Sequence, residues 1–184
     1  DYDSGDRRKI EYLDRELKQI LEDAFYVESK IGKEFALLNM LKIKYIKARD
    51  GKMAWREAMK AASEDLIRDG YFDERYVREA IGNVEEYGSY IIVNKGIALA
   101  HARKESGVYE DGLSLLVSKD GILFDEGETV HLLFFFSQKG ETDYLDLFKE
   151  IIKLGKDQND VDRIRNLTDS MEIYRTMWEI LSRN

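Results

Sequence analysis

The sequence predicts an α/β fold: a three-layer α/β/α sandwich with a mixed β-sheet, preceded by an N-terminal helical extension. Three observations carry this. The run Val130-His131-Leu132-Leu133-Phe134-Phe135-Phe136 is apolar on both alternating faces, so it reads as a central strand covered on both sides. Segments with helical period stand before and after the strand-like segments, which supplies two covering layers. The chain has 184 residues, 43% hydrophobic and 11% aromatic, enough for one domain with a true core.

In chain order, Ile10, Leu13, Leu17, Ile20, Ala24 and Val27 recur at spacings of three and four. They predict a helix with a narrow apolar seam, capped by Ser4 or Asp6. The seam reads first as a face packed on the helix's own domain, and second as a linker or dimerising helix. Residues 34–41 are apolar and fit either element. Leu41-Lys42-Ile43-Lys44-Tyr45-Ile46 alternates and predicts a strand, ended by Arg49-Asp50-Gly51. The boundary between the extension (1–35) and the main domain (36–184) is placed near Phe35. Residues 54–68 are helical, with Trp55, Ala58, Met59, Ala62 and Leu66 on one face and Gly70 as the stop. Asp73 caps a helix that turns Tyr76, Val77, Ala80 and Ile81 inward and weakens at Gly82-Asn83. Strands are expected at 90–93, 97–100, 113–117 and 130–136, with turns at Lys119-Asp120-Gly121 and Asp125-Glu126-Gly127. A helix from Glu141-Thr142 to Leu154 follows the central strand. Two more, at 160–166 and 170–182, complete the chain, the last with Ile173, Met177, Ile180 and Leu181 facing in.

Composition removes several function classes. Lys and Arg number 29 against 37 Asp and Glu, a net charge of −8, which argues against broad nucleic-acid or anionic-membrane binding. Cysteine is absent, so disulfides and thiolate metal sites are excluded. The two histidines, His101 and His131, lack zinc-site spacing. No apolar run approaches the roughly 20 residues of a membrane helix, and no signal peptide opens the chain. A cytoplasmic protein without membrane insertion is expected. Gly82 and Gly88 are punctuation, not a phosphate cradle, and flavin, nicotinamide and metal motifs are lacking, so no cofactor is expected.

The chemistry concentrates at Gly96-Ile97-Ala98-Leu99-Ala100-His101-Ala102-Arg103. His101 closes a strand-like segment built of small residues, which let a large group approach the ring. The Arg103 guanidinium suits an anion, phosphate oxygens above all. The plain reading is a strand-end histidine satisfied by backbone, with Arg103 and Glu105 as a local ion pair. His131, inside the apolar central strand, reads as a hydrogen-bonded core or edge histidine.

Gly70-Tyr71-Phe72, Tyr76-Val77-Arg78-Glu79-Ala80-Ile81, Asn83-Val84-Glu85-Glu86-Tyr87-Gly88, the segment 97–103 and Gly112-Leu113-Ser114-Leu115-Leu116 together resemble the enzyme IIA domain of the phosphoenolpyruvate-dependent sugar phosphotransferase system. The resemblance is to the mannitol/fructose superfamily, nearest its ascorbate-type members and the IIA-like domains of sugar-operon regulators. It covers roughly 38–181 and implies the same sandwich fold. It also implies that His101 accepts a phosphoryl group, at Nε2, from the phosphorylated histidine carrier protein. Such a site needs donors for charge spread over three oxygens, from backbone N–H groups or Arg103. It also needs an acceptor for the other ring nitrogen, a backbone carbonyl or Glu105.

The sequence departs from the family in three places. Ala100 stands where many relatives have proline, Asn83 near an arginine of the mannitol type, and Asp143 where many carry a second histidine. Three functional readings follow. The first is the regulatory IIA-like domain of a multidomain transcriptional regulator or antiterminator, suggested by the charged N-terminal helix, the altered site and a first residue that is not Met. The second is a stand-alone transport subunit passing phosphate to a IIB partner. The third is a non-catalytic interaction module of the same fold. Expected partners are the carrier protein and a IIB domain or other domains of the same regulator. No nucleic-acid contact is expected from this fragment, and the N-terminal seam allows a homodimer.

Overall fold

A computed structural model describes residues 2–183, with side chains from 5 to 183. The elements are helices α1 (Tyr2–Lys30) and α2 (Ala36–Met40), strands β1 (Ile46–Arg49) and β2 (Met53–Ala54), helices α3 (Trp55–Arg68) and α4 (Glu74–Tyr87), strands β3 (Ile92–Asn94), β4 (Ile97–Ala100), β5 (Gly112–Leu123) and β6 (Thr129–Ser137), and helices α5 (Leu145–Leu154), α6 (Gln158–Arg165) and α7 (Ser170–Leu181). Among the described residues these strands form one mixed sheet in the order β1-β5-β6-β4-β3, with β2 also on β5. β6 runs antiparallel to β5 and parallel to β4, with Ile97 opposite Leu132 and Ala100 opposite Phe135.

The central position expected for the 130–136 run is observed, and its side chains show why both faces are apolar. Phe135 packs against Phe72 and Tyr76, at centroid distances of 5.4 and 5.8 Å. The next residue, Phe136, turns to the other layer and meets Tyr144 and Phe148 at 5.1 and 5.3 Å. Alternation of side chains across a strand with period two requires this division. The α3 face named from sequence is buried at Trp55, Ala58, Met59, Ala62 and Leu66. The Asp73 carboxylate accepts the Arg75 backbone N–H at 2.9 Å and so caps α4.

Several boundaries differ from expectation, each for a local reason. Residues 41–45 do alternate in burial, but Ile43–Tyr45 form a single 3-10 turn and the strand begins at Ile46. Helix α4 does not weaken at Gly82-Asn83; it continues to Tyr87 and closes at Gly88. The first sheet segment after it is 92–94, not 90–93. Lys119-Asp120-Gly121 does not reverse the chain. It is a register shift inside β5, where Gly121 takes φ +116°. Helix α5 starts at Leu145, four residues after Glu141, because the Asp143 carboxylate accepts the Leu145 N–H at 2.9 Å.

The largest correction concerns α1. The helix already runs from Tyr2, so Asp6 lies within it and does not cap it, while the Ser4 side chain lies outside the described residues. Its seam was expected to pack on the domain. Instead Ile10, Leu13, Leu17 and Ile20 are 59%, 61%, 58% and 60% exposed, and contact is confined to the last turns, where Val27 is buried and Glu28 accepts the Ile43 N–H. Polar pairs four residues apart, Tyr12–Glu16 and Gln19–Asp23, support the free part of the helix.

Leu133, fully buried in β6, is a direct probe of the sandwich. Leu133→Ala should cost about 2–5 kcal/mol in chemical denaturation, the usual range for deleting a core leucine.

Candidate active site

Parallel strands β4 and β6 end side by side, and the residues following them form the mouth of a cleft. Ligands of open α/β sheets collect at this place, outside the carboxyl ends of parallel strands. The cleft holds about 550 Å³. Val93, Leu99, Phe136 and Phe148 give it an apolar lining, and His101, Lys104, Gln138 and Glu141 supply polar groups.

His101 is the first residue after β4 and is exposed. Its Nδ1 faces the Leu99 carbonyl oxygen at 3.3 Å. A carbonyl can only accept, so Nδ1 carries the proton and Nε2 keeps its lone pair in the neutral ring. The acceptor is therefore backbone, not Glu105. The Tyr90 ring stands edge-on to the imidazole, with centroids 6.2 Å apart.

What fixes the backbone here is Tyr76, buried on α4. Its hydroxyl donates to the Phe136 carbonyl at 2.6 Å and accepts from the Ala102 N–H at 3.0 Å. One phenol thus joins α4, the end of β6 and the residue after His101. Burial pushes its pKa up to about 12. The loop is tied again further along. Asp73 N–H donates to the Gly107 carbonyl at 3.0 Å, and the Tyr109 and Glu110 N–H groups both donate to the Tyr71 carbonyl. Gly107 has φ +95°, and a Cβ there would fall 2.8 Å from the Asp73 carboxyl carbon. Only glycine fits without displacing the cap of α4.

The other residues named from sequence are distributed around this centre. Asn83 reaches the Tyr90 hydroxyl, and so touches the ring that flanks His101. Arg103 turns away from the cleft: its Nε donates to Glu79 on α4 at 2.6 Å, a bond that raises the guanidinium pKa. The partner is Glu79, not the neighbouring Glu105. Asp143, just before the N-cap Tyr144, accepts the first N–H of α5 and does not line the cleft. His131 is satisfied at both nitrogens, Nδ1 by the Ser118 carbonyl at 2.9 Å and Nε2 by Arg165 Nη1 at 2.7 Å. It precedes Leu132, the partner of Ile97, whereas His101 follows the partner of Phe135. The two rings lie near opposite ends of β6, five residues or roughly 16 Å of strand apart.

Sequence reasoning missed Tyr76, Tyr90, Lys104 and Glu141 as parts of the site. Tyr76 was visible only as an inward-facing aromatic. Lys104 was overshadowed by the arginine before it.

With this geometry in view, the chain belongs to the family described as "Phosphoenolpyruvate-dependent sugar phosphotransferase system, EIIA 2", which it matches over residues 39–179. It is similar to the ascorbate-specific PTS system EIIA component of Escherichia coli, at 27% identity over 122 residues, covering 65% of this chain and 79% of that protein. Among solved structures, a PTS IIA (PtxA) from Streptococcus mutans superposes with a TM-score of 0.68 at 27% identity, covering 76% of this chain and 90% of the other. The mannitol enzyme IIA of Escherichia coli, solved with phosphorylated enzyme IIB, shares the fold with a TM-score of 0.60 at 18% identity, covering 73% of this chain and 94% of the other.

The Tyr76 bridge makes two predictions. Tyr76→Phe leaves the part-buried Ala102 N–H without its acceptor and the buried Phe136 carbonyl without its donor, and should destabilise the protein by about 1–3 kcal/mol, with faster hydrogen exchange at Ala102. A tyrosine whose folded pKa lies above its unfolded value near 10 contributes stability that is present below pH 10 and lost as pH rises toward about 12. Tyr76→Phe should remove that contribution and flatten the fall in stability across this window, measured by denaturation at stepped pH.

Proposed function

We propose that this domain accepts a phosphoryl group on His101 Nε2 from the phosphorylated histidine carrier protein. One observation carries the reading: the ring is exposed at the mouth of the cleft, and its Nδ1 is already committed to the Leu99 carbonyl. A neutral imidazole so held presents one nucleophilic nitrogen without needing a general base. The exposed aromatics beside it, Tyr87 and Tyr90, 66% and 44% exposed, suit a protein donor that must bring its own ring close. Asn83, through Tyr90, helps set the face of the His101 ring. Arg103 and Asp143 serve the site by fixing the loop on α4 and the start of α5. No cofactor takes part in this scheme, and the domain works in the cytoplasm.

The same proposal assigns residues 36–184 to the phosphoacceptor domain and 1–35 to an extension. It takes the domain as the regulatory part of a sugar-responsive transcriptional regulator or antiterminator. What supports this is α1, which stands off the domain with an apolar stripe uncovered, a surface suited to a neighbouring domain or a second copy. Phosphorylation then alters packing between domains. A second reading, a transport subunit handing the phosphoryl group to a IIB partner, is favoured by the likeness to the ascorbate-specific component. The reading frame upstream of the Asp1 codon separates the two. Nucleic-acid-binding and further regulatory modules there support the first, and a start codon within a few residues supports the second. No helix among the described residues is long and apolar enough to cross a membrane.

Incubation with phosphoenolpyruvate, enzyme I and the carrier protein should raise the intact mass by one phosphoryl group, labile in acid. His101→Ala should abolish the gain and His131→Ala should leave it. Loss of the signal in His131→Ala but not His101→Ala would contradict the assignment. No uptake by the unaltered protein would favour an interaction module.

A further inference from the structure

Charge at the mouth of the cleft is arranged in a way the fold does not require. Among the described residues lining the cleft, Lys104 is the one cation and Glu141 the one carboxylate. They form an ion pair with each other. Lys104 comes from the loop after β4 and Glu141 from the loop after β6, so the pair links the two loops that frame His101. The Glu141 side chain is 89% exposed and that of Lys104 37%, so the pair adds little to stability. Both loops are already anchored elsewhere. Tyr76 and the Tyr71 carbonyl hold the first, and the second is held where Asp111 accepts the Lys139 N–H at 2.6 Å and the Tyr144 hydroxyl. Arg103, the cation expected at the site, is bound to Glu79 on α4.

We propose that Lys104 is the phosphoryl-binding cation of this site and that Glu141 holds it in reserve, Lys104 exchanging Glu141 for the phosphoryl oxygens as His101 is phosphorylated. The inference rests on the phosphoacceptor reading. In the transfer, the bond between phosphorus and the donor imidazole breaks, its electron pair returning to that imidazole. The lone pair of His101 Nε2 forms the new bond to phosphorus, while the proton stays on Nδ1, donated to the Leu99 carbonyl. The three non-bridging oxygens bring negative charge to a mouth where Glu141 alone would repel it. A lysine is suited to answer, with three donors on a flexible stem that can follow the phosphoryl group. An exposed ion pair holds its partner by no more than about fivefold, and a phosphoryl group offers more negative charge and more acceptor oxygens than one carboxylate, so the exchange runs toward the phosphoryl group. The Glu141 hydrogen bond also holds the Lys104 pKa above its ordinary value.

The test is the rate at which acid-labile phosphoprotein appears with phosphoenolpyruvate, enzyme I and the carrier protein, for the unaltered chain, Lys104→Gln, Lys104→Arg and Glu141→Gln. Lys104→Gln should slow phosphorylation by on the order of tenfold, since a charged donor to the transferring group is lost. Lys104→Arg should keep most of the rate. Glu141→Gln should raise it about two- to fivefold, by releasing the lysine. Opposite signs for the two neutral variants are the signature, because a bridge that only braces the loops would slow both. Equal rates throughout, or slowing in both, overturn the proposal. If the unaltered protein takes up no phosphoryl group, the phosphoacceptor reading fails and this inference falls with it.

Discussion

A single buried phenol holds the site together. The Tyr76 hydroxyl lies between the Ala102 N–H and the Phe136 carbonyl, and so ties one covering helix to the ends of two neighbouring parallel strands. A buried amide or carbonyl left unpaired costs about 1–3 kcal/mol, so the chain leaves β4 along one path. That path places His101 directly after the strand, with its ring turned back on the Leu99 carbonyl and its far nitrogen open. Burial keeps the phenol neutral well beyond physiological pH, so the bridge does not switch with the chemistry around it. Position and nucleophilicity of the imidazole both follow from this constraint.

The two histidines show how environment decides the role of one side chain. His131 has a backbone acceptor on one nitrogen and a guanidinium on the other, so no lone pair remains to attack anything. His101 has the first kind of partner and open space where the second would be. The carboxylates near His101 follow a similar economy: Glu79 is neutralised by Arg103 and Glu141 by Lys104. An acidic chain can therefore present an approachable imidazole without a ring of uncompensated negative charge.

The sequence was most informative where burial dictates residue type. The double-faced run in β6, the α3 stripe and the Asp73 cap are all written in local patterns, and each was found in place. Patterns misled where two backbones bury the same alternation, as at residues 41–45, where a 3-10 turn hides every second side chain as a strand would. The triplet Lys119-Asp120-Gly121 carries a turn's composition, but glycine's left-handed conformation served a bulge. The seam of α1 has a buried helix's period without a surface of this domain beside it, and periodicity alone does not say what covers a face. At the site, His101 was legible because small residues and a strand end surround it. Tyr76, Lys104 and Glu141 were not, since their roles depend on loops brought together by pairing between β4 and β6.

The central claim is that the His101 ring is held with Nδ1 protonated and Nε2 free. Long-range proton–nitrogen NMR of the imidazole, with nitrogen-15 labelling, tests it most directly. In the neutral ring Nδ1 should show the shift of a protonated nitrogen and Nε2 that of a bare one, and after phosphorylation the coupling to phosphorus should appear at Nε2. A neutral ring protonated at Nε2, or a phosphoryl group found on Nδ1, would contradict it.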